Sequence, residues 1–146
     1  MNEKLQPRGP MIIAAALLTL LFCQGCGNGL ASVSGTVTLD GAPLKGGGDT
    51  RATIYLYPEG GTGAPAVGLL DENGEYTVTT GTQNGVMPGP YLVTISASQL
   101  IGEDIPGVPR SARRLTPARY ADPNGSNFRV DVESGSNVYD FALDAD

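Results

Sequence analysis

Histidine and tryptophan are absent from this chain of 146 residues, and its two cysteines lie within the first 26. Without histidine there is no Ser-His-Asp or Cys-His catalytic site, no histidine-ligated zinc and no imidazole general base. With both cysteines so near the start, the remaining chain has no disulfide framework and must fold on a hydrophobic core alone. These absences favour a non-enzymatic protein and predict no catalytic residue, cofactor or metal site.

Basic residues are also scarce. Nine lysines and arginines face fifteen acidic residues, which gives a net charge of −6. Nucleic-acid binding needs a basic footprint that displaces counterions from phosphates, so nucleic acid is not an expected partner. The carboxylates lie mostly in turns or on the outward side of predicted strands. No pair of them is therefore predicted to carry glycoside chemistry, which needs two carboxyl groups at a fixed separation in a cleft.

The N-terminal segment has the layout of a secretory signal peptide. Lys4 and Arg8 precede an apolar run from Met11 to Phe22, and small residues follow this run up to Cys26. The run has 12 residues, whereas a membrane-spanning helix needs roughly 20. The segment is therefore predicted to direct export without spanning the membrane.

Cys26, with Gly25 immediately before it, resembles the lipobox cysteine of bacterial lipoproteins. The resemblance implies cleavage before Cys26, a diacylglycerol on its sulfur, and acylation of its amino group by a chain such as palmitate. Lipoboxes favour leucine at the position that Cys23 occupies. Cys23 is therefore the alternative site, although Phe22 is bulky for the position before a cut. Cleavage by the ordinary signal peptidase, which yields a soluble secreted protein, is a second alternative.

The expected organisation is a signal peptide over 1–25, a flexible spacer over 26–32 and one β-domain over 33–146. Lipid on Cys26 would tether the chain to a membrane of the bacterial cell envelope. Asn28 stands where an aspartate retains many enterobacterial lipoproteins at the inner membrane, so the outer membrane is the expected location.

Alternation of apolar and polar residues predicts an all-β domain, and no stretch after Cys26 has the spacing of an amphipathic helix. The fold expected from seven short strands is an antiparallel Greek-key β-sandwich. Its predicted strands are Val33–Leu39, Ala52–Tyr57, Ala66–Leu70, Glu75–Thr79, Tyr91–Ala97, Phe128–Val132 and Tyr139–Leu143. Residues predicted to be buried in its core are Val37, Ile54, Val78, Val93, Ile95, Val130 and Phe141.

Four motifs in order resemble the carboxypeptidase regulatory-like, or transthyretin-like (prealbumin-like), β-sandwich domains. The pattern V-x-G-x-V-x-x-x-G-x-P-L spans 33–44, a strand ending at a proline spans 54–58, D-x-x-G-x-Y spans 71–76, and P-G-x-Y-x-V-x-I spans 88–95. The tail from Thr116 to Leu143 resembles that of small lipoproteins from planctomycete-type bacteria. The resemblance implies the sandwich fold and an envelope location. It implies no activity, because the purine hydrolases of similar fold rely on histidines that this chain lacks.

One long connection interrupts the strands. The segment 99–126 contains four prolines and no sustained periodicity, so it is predicted to be a loop. It carries four of the seven basic residues that follow Cys26, namely Arg110, Arg113, Arg114 and Arg119. These arginines are interpreted either as a site for an anionic polymer, a lipid head group or an acidic partner, or as charges that keep a plain connection in solvent.

The predicted function is that of a non-enzymatic, lipid-anchored structural or binding module of the cell envelope. The alternative is a carbohydrate- or protein-binding accessory domain of an envelope enzyme, in which Tyr55 and Tyr57 could stack on sugars. The expected partners are the membrane, through the N-terminal lipid, and an envelope glycan or protein.

Overall fold

The computed structural model describes residues 29–145, which form eleven β-strands and one short 3₁₀ turn, Ala118–Ala121. No α-helix occurs among these residues, and the all-β prediction is confirmed. The strands are β1 (Ser32–Leu39), β2 (Ala42–Pro43), β3 (Thr50–Pro58), β4 (Ala66–Leu69), β5 (Glu75–Thr80), β6 (Gln83–Asn84), β7 (Gly89–Ile101), β8 (Ser111–Arg114), β9 (Phe128–Val132), β10 (Ser136–Val138) and β11 (Phe141–Leu143).

The strands form one continuous sheet in the order β10-β1-β5-β4-β3-β7-β8. In addition, β2 and β11 pair with β1, β6 pairs with β5, and β9 pairs with β7. The longest ladder joins β3 to β7, from Thr50 opposite Gln99 to Pro58 opposite Tyr91. Most residues of the candidate site described below lie on these two strands.

The hairpin of β4 and β5 is confirmed, with Val67 opposite Thr79. Its turn is held by Asp71, whose Oδ1 accepts hydrogen bonds from the backbone N–H groups of Asn73 and Glu75, at 2.8 and 2.9 Å. Gly74 has a φ of 78°, a left-handed conformation that glycine adopts at little cost. Local turn chemistry therefore sets this hairpin, which is why the sequence predicts it.

The sheet curls until its two ends meet around a single core. The short segment 133–135 links β9, which borders β7, to β10, which borders β1. The Tyr139 hydroxyl donates a 2.6 Å hydrogen bond to the Asp131 carbonyl and ties these two edges together. Six of the seven predicted core residues are buried inside the curl, and Val130 is half-buried.

Two features of the sheet differ from the prediction. There are eleven strands instead of seven, and β1 pairs in parallel with both β10 and β11, so the sheet is not purely antiparallel. Of the predicted last strand, Tyr139–Leu143, only Phe141–Leu143 forms a strand, because the chain at Tyr139 crosses over Gly35, where the Tyr139 carbonyl packs against the glycine backbone. At this crossing Asp140 Oδ1 accepts hydrogen bonds from both the N–H and the hydroxyl of Thr36, each at 2.8 Å.

The segment 99–126 is more ordered than the loop that the sequence predicts. Its first residues extend β7, and Ser111–Arg114 forms β8, which pairs with Ser98–Ile101 of β7. After β8, the Ala97 N–H donates to the Thr116 hydroxyl at 3.0 Å. The sequence misses β8 because all four of its residues are exposed, so they show no alternation of apolar and polar side chains.

The described domain has two opposite ends along β7: the near end, which holds its N-terminal residues, and the far end, which holds β8. At the near end, Ala31 pairs with Val86, shortly before β7 begins at Gly89. At the far end, the last residues of β7 pair with β8. Gly89 and Ser98 are nine positions apart, which corresponds to roughly 30 Å of strand. The N-terminal side of the domain is therefore well separated from β8.

Candidate functional site

Arg110 is engaged within the fold. Its Nη1 forms an ion pair with Asp49 Oδ1 at 2.7 Å, and its Nη2 donates to the Leu100 carbonyl at 3.3 Å. The hydrogen bond from Arg110 lowers the pKa of the Asp49 carboxyl below its usual value. This arginine therefore fastens the β7–β8 hairpin to the loop that precedes β3.

Arg113 and Arg114 are neighbours on β8 and lie on opposite faces of the sheet. Arg113 is paired with Gln99 and donates to its side-chain oxygen at 3.0 Å. Arg114 is paired with Ser98, which is also paired with Arg51 of β3. Because directly paired residues point to the same side of a sheet, Arg51, Ser98 and Arg114 form one row across three strands. We call this row the arginine row.

Arg51 is the residue of the arginine row that sequence reasoning missed. Its alternation with Ala52 indicates an outward position on β3. Its proximity to Arg114 depends on the pairing of β3 with β7 and of β7 with β8, which joins positions far apart in the chain. No local signal carries that information.

Arg119 is not part of the arginine row. It belongs to the 3₁₀ turn, and its Nη2 donates to the Asp144 carbonyl at 3.0 Å. Its guanidinium also lies over the Tyr120 ring, 4.7 Å from the centroid. Arg119 thus holds the C-terminal segment against the domain. The four arginines predicted as one group therefore have different contacts in the structure and do not form one site.

A groove of about 570 Å³ adjoins the arginine row. Arg51 and Ser98 line it, together with the apolar side chains of Leu69 and Leu100. Asp49 is the only acidic residue among the described residues that line it, and that carboxylate is already paired with Arg110. The groove is therefore open, partly apolar and positively charged on a domain whose chain is acidic overall.

Tyr55 and Tyr57 lie on the same outward face of β3 as Arg51, because residues two apart on a strand share a face. Their ring centroids are 6.0 Å apart with an interplanar angle of 25°, and Tyr55 is 37% exposed. Tyr55 is paired with Thr94 on β7, and Thr53 is paired with Ser96. Thr53 and Thr94 are buried and Ser96 is half-buried, so the Tyr55 ring is the main group that this face exposes between the arginine row and the near end.

The acidic side chains near Thr36 accept hydrogen bonds that stabilise the fold. Asp71, Glu75 and Asp140 line a shallow cavity of about 560 Å³. Asp71 accepts hydrogen bonds from its own turn, and Asp140 accepts two from Thr36. These carboxylates therefore stabilise a turn and a strand crossing. Within 29–145, no group of three or more acidic or cysteine side chains is placed to hold a metal ion.

Acid is expected to weaken the contact between β1 and Asp140. The hydrogen bonds from the Thr36 side chain and backbone lower the pKa of Asp140 below its ordinary value. A carboxyl with a lowered pKa stabilises the fold above its unfolded pKa and loses that contribution as the pH falls through the folded value. Urea midpoints should therefore drop below about pH 4, and the drop should be smaller in Asp140→Asn. An identical pH profile in that variant would contradict this role.

Cys23 and Cys26 lie outside the described residues, so the predicted lipid site stays a prediction. Between residues 29 and 145 there is no helix long and apolar enough to cross a membrane.

Neither a protein-family model nor a curated protein matches this chain.

Proposed function

We propose that this chain is a bacterial envelope lipoprotein whose β-domain acts as a non-enzymatic structural or binding module. The observation that carries the proposal is the position of Cys26, which follows the apolar run and precedes the first strand by six residues. Lipid on Cys26 would hold the near end of the domain at the membrane, with the outer membrane as the expected location. The spacer between Cys26 and Ala31 extends at most about 18 Å.

The proposal includes a fold of the carboxypeptidase regulatory-like type. Three observations support it. The first resembling motif occupies β1 and β2, and Gly35 within it provides the space for the Tyr139 carbonyl. The D-x-x-G-x-Y motif forms the β4–β5 turn and places Tyr76 in the core. The P-G-x-Y-x-V-x-I motif forms the first part of β7. In this proposal the curled sheet corresponds to the Greek-key sandwich of that family.

A binding role is favoured over a purely structural one by the outward face of β3 and β7. This face presents the arginine row, the groove and the tyrosine pair, none of which the core requires. The second candidate function, a carbohydrate- or protein-binding accessory domain of an envelope enzyme, is supported by the exposed Tyr55 ring, which stacks on the half-buried Tyr57. Both candidates share the same anchor and the same face.

Mutation of Cys26 is expected to abolish membrane attachment. The full chain would be expressed in a bacterial host, and the membrane fraction would be measured by intact mass. The wild type should begin at Cys26 and carry two or three acyl chains, whereas Cys26→Ser should appear as unprocessed, unacylated precursor.

Cys23→Ser is the matched control, because it removes the other thiol of the same segment. It should be processed and acylated like the wild type. Lipid loss in Cys23→Ser but not in Cys26→Ser would move the anchor to Cys23. A lipid-free wild-type chain beginning at Gly27 or later would refute the lipoprotein proposal.

A further inference from the structure

The geometry points to the arginine row as a binding site for the anionic groups of an acidic polysaccharide. In this assignment Arg51 and Arg114 hold a carboxylate or sulfate, and the exposed ring of Tyr55 on β3 carries an adjoining sugar residue. The inference rests on the proposed binding role of the domain but does not depend on the lipid anchor.

The arginine row has the geometry of a two-armed anion clamp. Neighbouring strands are about 4.8 Å apart, so the Cα atoms of Arg51 and Arg114 are separated by about 10 Å, with Ser98 between them. Both arginines are exposed and Ser98 is half-buried. Guanidinium groups match carboxylate and sulfate oxygens in a planar, bidentate arrangement. Two long side chains on one face can therefore converge on one oxyanion above the Ser98 hydroxyl.

The charges around the row are available for a ligand. The side chains of Arg51 and Arg114 form no hydrogen bond or ion pair with another residue in the described range 29–145. The neighbouring carboxylate of Asp49 is neutralised by Arg110, so it does not compete for them. The ion pair of Arg110 thus supports the site indirectly, although Arg110 itself is directed to Asp49 and to the Leu100 carbonyl.

The surroundings of the row favour a polysaccharide over an acidic peptide. Tyr55 lies on the same face of β3 as Arg51, four positions away, or roughly 13 Å, and Thr53 between them is buried. The half-buried Ser98 hydroxyl can bond a sugar hydroxyl, and the exposed Tyr55 ring is suited to the apolar face of a sugar ring. The groove beside the row leaves lateral space for the chain. A peptide adding to β8 would instead use the backbone of that edge strand.

The test uses the purified full-length chain in detergent, with dextran sulfate and polygalacturonate as anionic probes. Unmodified dextran tests the requirement for charge, and polyglutamate tests whether an acidic peptide is sufficient. Binding of the anionic polysaccharides should weaken about tenfold in Arg51→Gln and in Arg114→Gln, since each removes a charge-assisted hydrogen-bonding group. Tyr55→Ala should weaken polysaccharide binding without affecting the arginine row. Thermal unfolding would verify that each variant is folded.

Arg113→Gln is the matched control, because it removes the same charge from the adjacent residue on the opposite face. It should bind within about twofold of the wild type, since diffuse attraction is screened beyond about 8 Å at physiological salt. Equal losses in Arg113→Gln and Arg114→Gln would overturn the clamp. Polyglutamate binding as tight as that of polygalacturonate, or binding that Tyr55→Ala leaves unchanged, would overturn the polysaccharide assignment. Absence of binding in a lipidated wild-type chain would refute this inference and leave the anchor intact.

Discussion

Replacing Gly35 with alanine is expected to destabilise the domain by about 3 kcal/mol, a large share of a typical stability of 5–15 kcal/mol. An added Cβ would lie 1.9 Å from the Tyr139 carbonyl oxygen and 2.7 Å from its carbon. Both atoms belong to the backbone, so no side-chain rotation relieves the overlap. The chain between β10 and β11 would have to move away from β1.

That displacement would also strain hydrogen bonds at the crossing. The Tyr139 N–H donates to the Ser34 carbonyl at 2.9 Å, and the Tyr76 hydroxyl donates to the Tyr139 carbonyl at 2.7 Å. The Tyr76 hydroxyl is mostly buried, and burial raises its pKa, so it stays protonated and able to donate across the neutral range. Gly35→Ala would therefore loosen the junction through which the last strands join the first.

Gly89→Ala is the matched control, because it measures the cost of a side chain at a positive φ without a steric overlap. Gly89 has a φ of 142°, close to the 159° of Gly35, but an added Cβ there would meet no atom within 4 Å. Its substitution should cost only about 1 kcal/mol of conformational strain. Chemical denaturation monitored by circular dichroism would measure both variants. Equal shifts in the two midpoints would show that the contact with Tyr139 does not determine the cost.

The parts of the fold that the sequence predicts are those governed by local chemistry. Tyr91, Val93 and Ile95 recur at every second position of one short segment, and these side chains are buried as expected. The β4–β5 turn depends on residues within one short segment. The parallel pairing of β1 with β11 joins Val37 to Phe141, more than a hundred positions apart, and depends on the curl of the whole sheet. Such a pairing leaves no periodic signal.

The candidate site shows the same division between local and long-range information. The concentration of arginines in 110–119 is plain in the sequence, but their roles depend on partners from elsewhere. Arg110 is bound to Asp49, Arg113 to the Gln99 side chain and Arg119 to the Asp144 carbonyl, so three of the four are engaged within the fold. Arg114 instead shares a face with Arg51. The four arginines that are close in the sequence therefore do not form the cluster seen in the structure, which consists of Arg114 and Arg51.

The distance between the two ends of the domain affects which ligands can reach the arginine row. An anchor at Cys26 would hold the near end, whereas the row lies roughly 30 Å further along β7. A flexible basic loop held against its own membrane is one interpretation of the arginines in the sequence. The ordered β8 at the far end favours a ligand presented from the side away from that anchor. This geometry is the reason to test polymers of the envelope.

Truncation of Phe141 to alanine is the second change expected to have a large effect. Phe141 is 7% exposed, and its ring lies 5.1 Å from that of Phe128 and 6.4 Å from that of Tyr76, centroid to centroid. Phe128 belongs to β9 and Tyr76 to β5, so the Phe141 ring joins strands from distant parts of the curled sheet. Its removal would leave a cavity that these separate elements cannot readily fill.

The expected cost of Phe141→Ala is about 3–5 kcal/mol, since it combines lost burial with a residual cavity. Val138→Ala is the matched control, because Val138 is 70% exposed on the neighbouring strand β10 and should change the stability by less than about 0.5 kcal/mol. Urea denaturation of both variants would give the comparison. A loss below about 1 kcal/mol in Phe141→Ala would mean that β11 is peripheral to the core. A large loss would establish that the final strand, which pairs with the last residues of β1, closes the domain.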